Sequence, residues 1–167
     1  IEILIKKIKK SVIEDKNVFI CSPDNEIEEF TNKYNINFIK RSKESNDEEF
    51  DIKKIMEWYK ELNNYYDYFM LINPCCPFLK IETINNFYKL CNEDKYDRVF
   101  GIINSKNYYF DEDNKPINFI PGTLNTKFVK PLKVAAHCHY FMKLTDIENN
   151  NYLGKFKDNK NPFLFMM

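Results

Sequence analysis

Two cysteines stand side by side, Cys75 and Cys76, between Pro74 and Pro77. They follow residues 67–72, a run that reads as a buried strand. Such a pair could ligate a metal, cycle as a redox couple, or floor a binding site. The Cys-x-x-Cys spacing of zinc sites is absent. His137, Cys138 and His139 concentrate further soft ligands. On a strand, residues i and i+2 share a face, so both imidazoles are expected to point the same way. With Cys76 they would make a three-ligand site. The favoured reading is a pair of hydrogen-bonded histidines lining a pocket or an interface. Arg41 is the only arginine in the first half and stands at a strand end. Its planar five-donor group suits a nucleobase edge, a phosphate or a carboxylate. The plainer role is an ion pair with Glu44 or Asp47. The acidic run 111–113 reads as a solvated turn.

These residues need elements to hold them. Apolar residues recur at helical spacing through Ile1, Leu4, Ile5, Ile8 and Val12, which predicts an amphipathic helix over 1–14. Residues 17–22 read as a buried strand, 22–34 as a helix opening on proline and acids, and 35–40 as a second strand. A polar loop follows, then a helix over 48–64 with Phe50, Ile52, Ile55, Met56, Tyr59 and Leu62 on one side. The strand at 68–72 runs into the two-cysteine loop. A helix from Ile81 to about Asn92 and a strand at 96–105 complete the alternation. That pattern predicts an α/β fold, Rossmann-like, with a mainly parallel sheet and helices on both faces. After about residue 105 a β-hairpin excursion is expected over 107–120. Strands at 133–144 and 161–167 follow. Ligands of open α/β sheets bind beyond the carboxyl ends of the strands. Here those ends carry residues 22–25, 41–47 and 73–78.

At 167 residues the chain fits a single domain spanning 1–167. Its 44% hydrophobic and 30% charged residues are a globular balance. Formal net charge is zero, so no overall field draws it to nucleic acid or to a membrane surface. Nothing resembles a signal peptide, and no apolar run approaches the roughly 20 residues that span a bilayer. Five cysteines are an odd number, which fits free thiols and a cytoplasmic setting. The start at Ile1, not Met, and the strand-like 161–167 are expected to be the ends of a fragment, an incomplete domain.

Residues 1–49 resemble the first half of the sugar-acid cytidylyltransferases, the family that makes CMP-sialic acid and related CMP-activated nonulosonic or 2-keto sugar acids. The resemblance runs through NVFICSPDNEIEEFTNKYNINFIKRSKESNDEE. LINPCCPFLKIETI is similar to that family's Leu-x-Pro-Thr-Ser-Pro-Leu-Arg loop and following helix. YDRVFGIINSKNYYFDEDNKPINF is similar to its next strand and hairpin. NTKFVKPLKVAAHCHYF resembles its Asn-Thr-Gln-x-x-x-Pro segment and the strand after it. The match is colinear over nearly the whole chain.

The resemblance implies a nucleotide-diphospho-sugar transferase-like fold and an enzyme that transfers CMP from CTP to a 2-keto sugar acid, releasing pyrophosphate. It implies nucleotide binding by Arg41, Ser42, Cys75 and Cys76, and substrate binding by Asn73, Lys106 and Lys127. It also implies Mg²⁺ as cofactor, CTP and a sugar acid as partners, and a homodimer reached through the region after Ser105. Cys75 and Cys76 replace Thr-Ser there, so they would line the pocket. Leu79 stands where the pattern has Arg, with Lys80 adjacent, and Lys127 replaces Gln. The family's N-terminal Gly- and Lys-containing loop and its C-terminal Asp-x-Asp metal motif are absent, so these 167 residues alone are expected to be inactive. A degenerate homologue that binds a nucleotide or a partner protein is the alternative, and a glycosyltransferase on a similar scaffold is another.

Overall fold

The computed structural model describes residues 1–47, 51–154, 156 and 161–167. Twelve regular helices and strands follow in order among them: α1 (Glu2–Ile8), β1 (Phe19–Ser22), α2 (Asn25–Lys33), β2 (Asn37–Lys40), α3 (Ile52–Ile55), α4 (Tyr59–Leu62), β3 (Tyr68–Ile72), α5 (Ile81–Cys91), β4 (Val99–Ser105), β5 (Leu132–Lys143), α6 (Thr145–Glu148) and β6 (Phe163–Met166). The class is α/β, as the alternating periodicities require. β1 pairs with β2 in parallel. β3, β5, β4 and β6 form a second sheet in that order. β5 is antiparallel to both β3 and β4, whereas β4 and β6 are parallel. So β5 alone runs backwards among the four.

Two expectations are corrected. The helix expected over 1–14 stops at Ile8. The Ser11 hydroxyl donates to the Ile8 carbonyl and accepts from the Ile13 N–H, which offers the backbone a turn instead of another helical step. The helix expected over 48–64 is two short ones, α3 and α4; its first residues, 48–50 with Phe50, lie outside the described residues. Met56, Trp58 and Tyr59 are all buried, more than one helical stripe can turn inward, and the chain bends between them. The hairpin expected over 107–120 forms in short form, with an antiparallel bridge between Phe110 and Pro116 and backbone hydrogen bonds from Asp111 N–H to the Lys115 carbonyl and from Ile117 N–H to the Tyr109 carbonyl. The run 111–113 is its turn, as expected. The Asp111 carboxylate accepts from the N–H groups of Asp113 and Lys115.

Two apolar layers cover the strands. On one face Phe19 and Cys21 of β1, with Phe69 and Leu71 of β3, pack against Ile39, Trp58, Leu62 and Ile147. On the other, Ile20, Met70 and Ile72 pack against Leu4, Ile5, Ile8 and Ile84. The same layers therefore cover β1 and β3, yet no hydrogen bond joins those two strands among the described residues. A cavity of about 660 Å³ lies between them, lined by Phe19–Ser22, by Phe69–Ile72 and by the apolar side of α1. Ladder alternation aims the N–H and C=O of Phe19, Cys21, Met70 and Ile72 into it.

Candidate functional site

The cavity changes character at the carboxyl ends of the strands. Most of its wall is aliphatic and aromatic, but Ser22, Asp24, Arg41 and Pro74 line it where β1, β2 and β3 give way to loops. This is the crevice in which open α/β sheets take ligands.

Each loop is built differently. β1 ends on Ser22, whose hydroxyl accepts from the Asp24 N–H at 3.2 Å, and Asp24 holds the N-cap position of α2. After β2, Arg41 turns back on its own loop. Its Nε donates to Ser45 Oγ at 3.0 Å, and Nη2 donates to the carbonyls of Ser45 and Ile55. Ser42 donates its N–H and, at 3.0 Å, its hydroxyl to the two oxygens of Glu57. Lys54 reaches the same carboxylate at 2.9 Å. Burial pushes the Glu57 carboxyl up, but the Ser42 N–H, Lys54 and the Ser42 hydroxyl outweigh it and hold the group down at about 2. Glu57 is thus an anion that ties the β2 loop to the turn before α4.

β3 ends at Ile72, Asn73 follows it, and Pro74 has no N–H with which to extend the ladder. Asn73 is a bracket. Its N–H donates to the Cys138 carbonyl and its amide Nδ2 to the His137 carbonyl, both at 2.9 Å. Its own carbonyl accepts from Cys76, and its Oδ1 accepts from the Cys75 N–H. From the other side Lys7 of α1 donates to the carbonyls of Pro77 and Leu79, at 2.6 and 2.9 Å. Cys75 is exposed, whereas the Sγ of Cys76 lies 3.1 Å from that of Cys138.

The histidines do not share a face. Between the pairs Phe100–Tyr140 and Ile102–Ala135, β4 spends one residue, Gly101, where β5 spends four, 136–139. His137 sits in this bulge at φ +52°, exposed, with Nδ1 2.7 Å from the Tyr140 hydroxyl. His139 turns inward and stacks on Phe87 at 4.7 Å. It is fully buried, and neither ring nitrogen has a partner. The expectation that both imidazoles point one way fails because alternation holds only on an unbulged strand. Among the described residues no group of three or more His, Cys, Asp or Glu could hold a metal ion.

Of the expected site residues Arg41 lines the cavity, together with Pro74 of the β3 loop, whereas Ser42, Asn73, Cys75 and Cys76 are not among the described residues that line it. The structure does not bring Lys106 or Lys127 to that cavity. Both are exposed on the excursion after β4, Lys127 in the 3₁₀ turn Thr126–Phe128. Ser22 and Asp24 were missed as individual residues, although the loop carrying them was marked by its place at a strand end.

No protein-family model matches the sequence, and no curated protein matches it significantly. Solved structures do match in fold. CMP:2-keto-3-deoxy-manno-octonic acid synthetase complexed with CTP aligns at TM-score 0.62 and 12% identity, over 100% of this chain and 78% of that one. The 4-diphosphocytidyl-2C-methyl-D-erythritol synthase of Anaerococcus prevotii DSM 20548 aligns at 0.62 and 14%, over 99% and 74%. A cytidylyltransferase of Leptospira borgpetersenii serovar Hardjo-bovis (strain JB197) aligns at 0.54 and 12%, over 99% and 63%. At these identities the likeness is one of fold, and the fold is that of the cytidylyltransferases. Among the described residues no helix is long and apolar enough to cross a membrane.

Proposed function

We propose that this chain belongs to a nucleotidyltransferase that moves CMP from CTP to a hydroxyl of a 2-keto sugar acid. The observation that carries the reading is the fold likeness, over the whole of this chain, to a CMP-sugar synthetase complexed with CTP, joined to a cavity that Ser22, Asp24 and Arg41 line at the strand ends. In this reaction the sugar hydroxyl attacks the α-phosphorus. A new P–O bond forms, the bond to the bridging oxygen breaks, and pyrophosphate leaves. Both reactants are anions, so positioning and charge neutralisation carry the catalysis. Arg41 and Ser42 stand on the nucleotide side, with Cys75 and Cys76 as the wall between nucleotide and sugar acid, and Asn73 fixing that wall. Lys106 and Lys127 are assigned to the sugar acid's carboxylate, which requires the excursion to reach the site, in this copy or a second one. Mg²⁺ would lower the charge of the triphosphate, but the described residues hold no ligand cluster for it, so no step here runs through it. The setting is cytoplasmic.

We propose a homodimer through the excursion, because Phe110, Ile117, Ile120, Leu124 and Phe128 stand exposed on it, Leu124 at 97%. The pair Leu124→Asp and Phe128→Asp should convert a dimer to a folded monomer in sedimentation velocity. A parent chain that already sediments as a monomer at micromolar concentration would remove the dimer.

A specific observation favours a second reading, a binding protein without chemistry. Arg41 spends Nε and Nη2 on Ser45 and Ile55, and Ser42 spends its N–H and hydroxyl on Glu57. The test separates the two. The intact gene product is incubated with CTP, Mg²⁺ and a panel of 2-keto sugar acids, and pyrophosphate is followed. Release that depends on CTP and on one acid supports the synthetase. CTP binding without release supports the binding protein, and release from UTP or a nucleotide-sugar donor instead supports a glycosyltransferase or another nucleotidyltransferase. The 167 residues alone are expected to release none.

A further inference from the structure

We propose that Cys76 and Cys138 are a reversible disulfide site, which fastens the loop after β3 to the bulge of β5. Their sulfurs stand 3.1 Å apart across 62 residues of sequence. A disulfide needs about 2.05 Å, so the pair must close by roughly 1 Å. The surroundings can supply that movement. Cys138 lies in the stretch of β5 where the ladder is already interrupted, and Cys76 lies in a turn. Asn73 holds the two backbones in register from both sides, through the carbonyls of His137 and Cys138.

The other thiols do not compete. Cys75 is next to Cys76 in sequence, and neighbouring Cα atoms about 3.8 Å apart fall below the 4.4–6.8 Å span of ordinary disulfides. Cys75 is exposed, and its N–H is held by Asn73. Cys21 and Cys91 sit in separate apolar layers, and among the described residues Cys76–Cys138 is the sulfur–sulfur contact. Burial, with the hydrogen bond to Cys76, pushes the Cys138 thiol up, to about 12. Cys138 therefore stays a thiol until the second step.

The oxidant is a small disulfide such as glutathione disulfide. The Cys76 sulfur attacks it, forming a mixed disulfide and releasing one glutathione thiolate. Cys138, losing its proton to solvent, then attacks the Cys76 sulfur and displaces the second glutathione thiolate. The two protein S–H protons end on two glutathione thiols, and the protein has lost two hydrogens. Closing a 62-residue loop restricts the unfolded chain. The oxidised form should therefore melt higher, and dithiothreitol should reverse the shift. None of this depends on what the loop binds.

The folded full chain is treated with glutathione disulfide, alkylated, digested and mapped by mass spectrometry. Expected is a peptide carrying Cys76 linked to the one carrying Cys138, retained in Cys75→Ser and lost in Cys76→Ser and in Cys138→Ser. The Cys75→Ser chain is the deciding arm, since Cys75 and Cys76 can share a peptide. Circular dichroism of each reduced variant checks folding, and the parent chain's own map stands if a variant fails. Alkylated Cys138 after oxidation, or a link that survives Cys76→Ser, would overturn the proposal.

Discussion

Asp146→Ala should cost about 3–5 kcal/mol of stability, the usual penalty for leaving one partner of a buried ion pair behind. Arg98 precedes β4 and Asp146 lies on α6, and their side chains are 7% and 11% exposed. Arg98 Nη2 donates to Asp146 Oδ1, and Nη1 donates to Asn161 at 2.7 Å. Gly154 makes the enclosure possible. At φ +87° it brings bare backbone against this group, and a Cβ there would meet Asn161 Oδ1 at 2.6 Å and Arg98 Cδ at 3.1 Å. Without the carboxylate the guanidinium has no counter-charge and little access to water. For a chain of this size the loss corresponds to roughly 10 °C in melting temperature. The reciprocal test is more informative. Arg98 Nε and Asp146 Oδ2 have no partner, so the pair is enclosed without being fully satisfied. The double variant Arg98→Met with Asp146→Leu should regain most of the lost stability. If Asp146→Ala melts like the parent in urea and heat, the pair is not enclosed as described. If the double variant is worse than the single one, the pair contributes net stability.

The second large effect is on acid stability. Burial pushes His139 down from 6.5 to about 4. A buried imidazole must lose its packing against Phe87 before it can be charged. The unfolded chain takes up the proton below about pH 6.5, while the folded chain waits until about pH 4. Stability is therefore complete above pH 6.5, falls as pH drops between these values, and is level in this respect below them. The depth of the fall is about 3 kcal/mol, from about 1.4 kcal/mol per unit. His139→Leu should remove that slope. It should also gain about 1–3 kcal/mol at pH 7, since two unpartnered ring nitrogens leave the core. Urea unfolding at a series of pH values reads both effects. An unchanged slope between pH 6.5 and 4.5 in His139→Leu would assign it to other groups. Glu2 and Glu57, both held down at about 2, lose their contribution only at lower pH.

The sequence carried the alternation of helix and strand because apolar periodicity reports which residues must leave water. It put α2, α5 and every strand within a few residues of their observed places, and it marked the strand-end loops. It could not show how those strands were shared between two sheets, because pairing is decided by partners far along the chain. The β5 bulge was equally hidden. KVAAHCHYFMKL reads as unbroken strand, and the extra residues appear only when β5 is laid against the shorter path of β4. With the bulge hidden, the opposite fates of His137 and His139 and the approach of Cys138 to Cys76 were hidden too. For Arg41, position was readable and employment was not. Whether a guanidinium meets a ligand or its own loop depends on carbonyls at Ser45 and Ile55 that no residue type announces.

The separation of β1 from β3 also bears on cooperativity. Among the described residues no backbone ladder runs from β2 through to β6, and the two sheets meet through side chains such as the ring contact of Phe19 with Tyr66, the wedge of Trp58 on Phe69, and the aliphatic face of α1. Contacts of that kind soften first as a protein expands, before hydrogen-bonded strands come apart. The β1–α2–β2 unit is therefore expected to exchange its amide hydrogens before the four-stranded sheet does, and equal protection of β1 and β4 amides would contradict this.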